Sequence, residues 1–241
     1  MEEVFGKYIT EDTSGFSVRE IKFARARLAV LQAFVEEISR KNYEEIRIKD
    51  LCREAEISEP SFYNYFPRKD DLFLYFISLW SVDVQLHCRS LLPGLDTIRE
   101  LFCYTAEKSG KNPELLKQVI AYQARTNTSE AIKGITPVTL AEKTVVFGRV
   151  SGMEQLPDSG MGPVLFNNLS AAIENGELPS TVDAQAFTLI LGALFFGVPV
   201  IMLHNEPEKL SIYYQHSLDQ LFGKKIKNSV TNKKPKKRER K

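Results

Sequence analysis

The stretch that most constrains this chain is residues 47–72, RIKDLCREAEISEPSFYNYFPRKDDL. Ile48, Leu51, Cys52 and Ala55 recur at helical spacing, while Arg47, Lys49, Asp50, Arg53 and Glu54 fall elsewhere. Ile57 then turns inward, and Ser58 is a good N-cap for a second helix. Pro60 falls in that helix's first turn, where a missing N–H costs no hydrogen bond. Phe62, Tyr65 and Phe66 supply an apolar face and leave Ser61, Tyr63 and Asn64 pointing outward. Two short helices joined by such a turn form a helix-turn-helix, whose second helix fits the DNA major groove.

The surrounding residues read as helices too. A helix is expected from Val18 to Lys41, with Ile21, Ala24, Leu28, Leu31, Val35 and Ile38 at three- and four-residue steps. Its opening is basic, with Arg19, Lys22, Arg25 and Arg27 either solvated or set beside DNA phosphates. After Phe66-Pro67 a long helix should run from Lys69 to Leu91 and stop at Pro93-Gly94. Further helices are expected near 95–109, 113–125, 159–176, 182–205 and 207–222, whereas 126–157 gives no clear pattern. Residues 184–203 are twenty consecutive uncharged residues, long enough to span a membrane. Gln185, Thr188, Gly192, Gly197 and Pro199 dilute that run, and no aromatic belt flanks it, so a buried helix at a subunit interface is the better reading.

Charge is unevenly placed. Residues 224–241 hold ten Lys or Arg and one Glu, net +9, against 22 basic and 30 acidic residues elsewhere, net −8. An acidic body with a basic end should meet DNA locally, not through a broadly basic surface. The end has no apolar periodicity and reads as disordered, serving as a nonspecific DNA grip, a solubilising terminus or a nuclear address. Met1 to Ser17 contains no apolar run suited to a secretory leader. Cys52, Cys88 and Cys103 lack metal-ligand spacing and fit a reducing, cytoplasmic setting. His87, His204 and His216 lie far apart, and no catalytic motif is present, so no metal, cofactor or enzymatic activity is expected.

From Tyr43 to Leu72 the sequence resembles the DNA-binding motif of the TetR family of bacterial transcriptional regulators. The matching positions include Tyr43, Ile48, Asp50-Leu51, Ala55, Ile57-Ser58, Phe62-Tyr63, Tyr65-Phe66, Lys69 and Leu72. The family usually has glycine where this chain has Asn42 and Glu56. A positive φ at Glu56 would cost roughly 1–2 kcal/mol.

The resemblance implies an all-α fold: a three-helix helix-turn-helix domain followed by a helical ligand-binding and dimerisation domain. The boundaries expected are 1–17 for a flexible lead, 18–68 for the DNA-binding domain, 69–222 for the body and 223–241 for the basic tail. In the motif, Glu59, Pro60, Ser61, Tyr63 and Asn64 should face the groove. Arg47 and Lys49 should lie near backbone or base edges, and Lys69 should join Tyr63 on phosphates, as should Tyr65 unless its ring is mostly core. The resemblance further implies a homodimer through the last two large helices, a palindromic double-stranded DNA operator and a small-molecule effector. Trp80, Phe102, Tyr104 and Tyr122 are candidate pocket residues, as are Phe147, Phe166 and Phe195, each also suited to plain core. The implied function is a ligand-released repressor without a membrane partner. The alternatives are a nonspecific architectural DNA binder using the tail and an all-helical enzyme.

Overall fold

The computed structural model describes residues 13–126 and 137–223. The expected flexibility of residues 1–12 and the expected disorder of the basic tail from 224 onward lie outside the described residues. Those described form helices and 3₁₀ turns, with no strand among them. The α-helices are α1 (Val18–Ile38), α2 (Ile48–Glu54), α3 (Glu59–Tyr65), α4 (Asp71–Cys88) and α5 (Leu95–Lys111). They continue as α6 (Pro113–Arg125), α7 (Leu140–Phe147), α8 (Met161–Glu174), α9 (Ala184–Asn205) and α10 (Leu210–Phe222).

Local chemistry sets most boundaries. Ser17 and Glu20 form a reciprocal capping box at the start of α1. Between α2 and α3 the chain makes a Schellman turn, in which Ile57 N–H donates to Cys52 O at 2.9 Å and Glu56 N–H to Arg53 O at 3.3 Å. That turn puts Glu56 at φ 53°, the one positive-φ residue other than glycine among those described. Asn42 is extended at φ −65°, so only one of the two replaced family glycines meets a left-handed backbone. Ser58 caps α3, its hydroxyl accepting from Ser61 N–H at 3.3 Å. Gly94 begins α5 where a Cβ would sit 2.2 Å from the Glu177 carboxylate. Its bareness lets Glu177 reach across and accept Leu95 N–H at 3.1 Å.

The spine is α4, with 14 of its 18 residues buried. Its first half packs under the head, where Phe34 meets Phe73 edge-on at 5.1 Å and Phe62 and Phe66 close the core. Its second half joins α5, α8, α9 and α10 in a second apolar cluster, and Trp80 touches both. The stretch 126–157, unreadable by periodicity, contains α7 in its described part, started by a Thr139–Glu142 capping box and ended by Gly148 at φ 74°. Val138, Ala141, Val145 and Val146 of this stretch lie in the same core as α1.

One buried ion pair fastens α1 to α7. Arg27 and Glu142 lie 3.1 Å apart with side chains 1% and 0% exposed. The Tyr75 hydroxyl donates to Glu142 at 2.6 Å, and the guanidinium lies over the rings of Tyr75, Phe66 and Phe23. The expectation that Arg27 was solvated or beside phosphates is therefore corrected. Arg19, Lys22 and Arg25 do face solvent.

The helix α9 has mean hydropathy 2.4 over Ala184–Leu203, yet only 22% of that window is buried in the single chain. Leu191, Phe195 and Leu203 form its inner edge. Pro199 cannot donate to the Phe195 carbonyl one turn earlier, and the Tyr214 hydroxyl of α10 donates to that oxygen instead. The side of α9 bearing Ala186, Leu189, Ala193, Gly197 and Val200 is open.

Candidate nucleic-acid interface and effector cavity

On α3 the helical period sorts side chains cleanly. Phe62 is fully buried and Phe66, just beyond the helix, is 1% exposed, while Glu59, Pro60, Tyr63 and Asn64 are exposed. Tyr63, at 50% exposure, stands off the core with its ring edge-on to Phe62. Such a face offers a carboxylate, a pyrrolidine, a phenol and an amide, the groups suited to base edges and phosphates. Ser61 is half-buried, its hydroxyl 2.9 Å from that of Ser58, so it serves the cap as well as the outer face. Arg47 and Lys49 are exposed at the start of α2.

Two expected phosphate contacts are differently placed. Lys69 points into the fold: its ammonium donates to Tyr43 O at 2.8 Å and Ile46 O at 2.9 Å and lies 4.0 Å from the centre of the Tyr43 ring. Partial burial pulls its pKa down. Two of its three donors thus tie the loop before α2 to the start of α4. Tyr65 is half-buried and packs edge-on against Phe23 at 5.4 Å, which makes its ring part of the α1–α3 contact.

Within the body, α4, α5, α6, α8 and α9 enclose a cavity of about 550 Å³. That lies within the range of small-molecule sites. Trp80 and Phe195 line it, together with Phe76, Leu116, Met161 and Phe196. The other expected pocket residues do not line this cavity. Phe102 is fully buried against Phe195 and Tyr214, and Tyr122 is stacked on Phe73 at 4.9 Å. Phe147 belongs to the core shared with the head, while Phe166 is 37% exposed on α8. Tyr104 stands behind Trp80, stacked on it and on His87, and donates to Asp83 at 2.8 Å. Burial raises Asp83 to about 6, against the Tyr104 bond and the nearby charges of Lys108 and His87.

Sequence reading missed Phe76, Leu116, Met161, Phe196 and a polar strip on α5: Thr105, Lys108, Ser109 and Asn112. The strip's spacing of three, one and three residues marks one helix face, which was legible; that it faces a void was not. Gly192 also opens onto the cavity. Cys52 and Cys88 are buried and free, and burial with the Glu100 charge pushes the Cys88 thiol up to about 12. Among the described residues, no group of His, Cys, Asp and Glu could hold a metal ion.

This arrangement defines a helix-turn-helix protein whose head is joined by one buried helix to a hollow helical body. Residues 30–76 match the family described as bacterial regulatory proteins, tetR family. Among solved structures, the chain resembles a TetR transcriptional regulator from Rhodococcus sp. RHA1, at 16% identity and TM-score 0.54, over 82% of this chain and 96% of that one. It also resembles Thermus thermophilus FadR, a TetR-family transcriptional repressor in complex with lauroyl-CoA. There the identity is 18% and the TM-score 0.57, over 85% of this chain and 97% of that one. A third is Salmonella enterica GusR, at 17% identity and TM-score 0.51, over 82% and 95% respectively. No curated protein matches the sequence. Residues 30–76 thus match the tetR family model, and over more than four-fifths of its length the chain shares the fold of solved TetR-family regulators.

Proposed function

We propose that the chain acts in the cytoplasm as a homodimeric repressor that binds a palindromic operator and is released when a small molecule fills the body cavity. The observation that carries this reading is the split face of α3, with Phe62 buried and Glu59, Pro60, Tyr63 and Asn64 presented outward. Asn64 is the side chain suited to adenine, Pro60 to a thymine methyl and Glu59 to cytosine N4. Ser61 adds a shorter-range contact, while Tyr63, Arg47 and Lys49 bind phosphates. Tyr65 and Lys69 support that surface from beneath.

A dimer is supported by the open apolar side of α9, where Leu189 is 76% and Ile201 64% exposed, beside exposed Ile212 and Tyr213 of α10. Exposed apolar patches of this extent mark interaction surfaces. A second copy covers them and sets the two α3 helices one DNA turn apart, about 34–36 Å. Effector response is supported by α4, which meets the head through its N-cap Asp70, bonded by the Tyr43 hydroxyl, and through Phe73 against Phe34, and walls the cavity with Phe76 and Trp80. A ligand favouring one position of α4 shifts the population between DNA-binding and released states. Thermus thermophilus FadR, in complex with lauroyl-CoA, is a precedent for a body of this fold holding a small molecule.

Selection of sites from random duplex DNA tests the reading, using the full chain and a version ending at Phe222. A two-fold palindrome enriched by both is the expected result. No enriched site, with binding lost on truncation, would replace it with the architectural reading, in which the basic tail grips phosphates.

A further inference from the structure

We propose that the body cavity is coupled to α3 by a route through α7, beside the one through α4, and that the Lys143–Asp158 ion pair is its connecting link. The inference rests on the effector reading above and assigns the regulation of that cavity to two positioning residues outside both its wall and the α3 face. The cavity wall at the start of α8 is residues 159–163: Ser159, Gly160, Met161, Gly162 and Pro163 all line it. Asp158 directly precedes that wall, and Lys143 lies on α7.

The chain leading into the wall is anchored on two sides. Towards α4, Pro157 O accepts the Gln85 amide N–H at 2.7 Å and the Ser81 hydroxyl at 3.3 Å. Gly160 packs on the same helix, where a Cβ would sit 3.4 Å from Ile77 Cγ2. Towards α7, the Asp158 carboxylate meets the Lys143 ammonium at 3.0 Å. The Lys143 side chain is only 6% exposed, so taking Asp158 away would leave a buried charge uncompensated. The wall is therefore fastened to α7 by a contact that the fold does not give up cheaply.

From α7 the contacts continue into the head. Glu142, next to Lys143, pairs with Arg27 of α1 and accepts the Tyr75 hydroxyl. Adjacent residues of a helix point about 100° apart, so Glu142 and Lys143 hold α7 from two directions. The Arg27 guanidinium lies 5.0 Å from the centre of the Phe66 ring and 5.4 Å from that of Phe23. Phe23 in turn meets Tyr65, the last residue of α3, edge-on at 5.4 Å. Coupling between distant sites is carried by such unbroken chains of packed and bonded side chains. A ligand that displaces residues 159–163 thus acts on α7 through Asp158 and Lys143, and on α3 through Arg27 and Phe23.

The cavity can be filled from its own wall. Gly192 on α9 opens onto it, with nothing within 4 Å of the place a Cβ would take, so Gly192→Phe stands in for an effector. Operator affinity is measured on the full-length protein with the site selected above. Gly192→Phe should weaken binding about ten-fold, within the range of coupling between two sites. Asp158→Asn and Lys143→Met should each bind the operator as the wild type does. In either background Gly192→Phe should then weaken binding by no more than about three-fold, the part left to α4. Asp158→Glu keeps the charge and should keep the ten-fold effect. Thermal melts establish that each variant is folded, and Gly192→Leu replaces Gly192→Phe if the larger ring prevents folding. Equal weakening in all backgrounds overturns the α7 route and leaves α4 alone. Operator binding lost in Asp158→Asn or Lys143→Met by itself makes the pair merely structural and also overturns it. No weakening when the cavity of the otherwise wild-type chain is filled overturns the effector reading and this inference with it, while the site selection independently decides the DNA-binding reading.

Discussion

Lys69 and Tyr63 are separated by six positions and both carry groups that bind phosphate, yet the fold treats them oppositely. The Tyr63 ring projects from α3 at 50% exposure, whereas the Lys69 ammonium is turned onto the carbonyls of Tyr43 and Ile46. The Tyr43 hydroxyl in turn bonds Asp70, so the loop before α2 and the start of α4 form one clasp. Lys69→Met should therefore lower unfolding free energy by about 1.5–3 kcal/mol, the range for hydrogen bonds to a charged group. Denaturant titration measures that loss. The salt dependence of operator binding should keep its slope in this variant, because no phosphate contact disappears. A slope reduced by about one would instead restore Lys69 to the DNA contacts.

Among the elements, α7 is the one whose role follows least from its own residues. Its eight residues LAEKTVVF begin with a capping box, yet Glu142, the acid of that box, is also the buried partner of Arg27. Thr139 N–H donates to the same carboxylate at 2.7 Å, so one side chain caps α7 and bolts it to α1. Removing one member of a buried pair leaves an uncompensated charge. Arg27→Met alone should cost about 3–5 kcal/mol, and Arg27→Met with Glu142→Leu should recover much of it. Chemical denaturation of the single and double variants checks this. If the double variant is as unstable as the single, the polar bonds of Glu142 to Tyr75 and Thr139 outweigh its pairing with Arg27.

For the whole molecule, α9 presents an apolar exterior that a lone chain leaves in water. Leu191 and Phe195 are buried, while Leu189, Ile190, Val200 and Ile201 are exposed. Leu189→Glu or Ile201→Glu should turn a dimer into a monomer in sedimentation velocity. Such exposed positions change the stability of a single fold by about 0.5 kcal/mol or less. Binding to a palindrome should weaken strongly, because each half-site is then bound without the effective concentration that a linked second head supplies. A wild-type chain that sediments as a monomer would defeat the dimer reading. Partition of the intact chain into membranes would assign the exterior of α9 to lipid.

What the sequence determined by itself is what short range controls. The Ile48, Leu51, Cys52 period, the Ser58 cap, Pro60 in the first turn and the Phe62–Phe66 face are all set by neighbours within a helical turn or two, and α2 and α3 follow from them. Glycine punctuation was legible for the same reason: Asn175-Gly176 closes α8, with Gly176 at φ 75°. Tertiary structure alone decided which helix faces meet a wall, a void or water. Trp80 and Phe195 border the cavity while Phe102 and Tyr122 fill the core, although all four are large aromatic residues on helices. Arg27 and Arg25 lie two positions apart on one basic helix, and only the distant Glu142 makes the first a buried bolt. The physical reason is that a side chain's period fixes its direction from its own helix axis, whereas its role depends on what a remote segment places there.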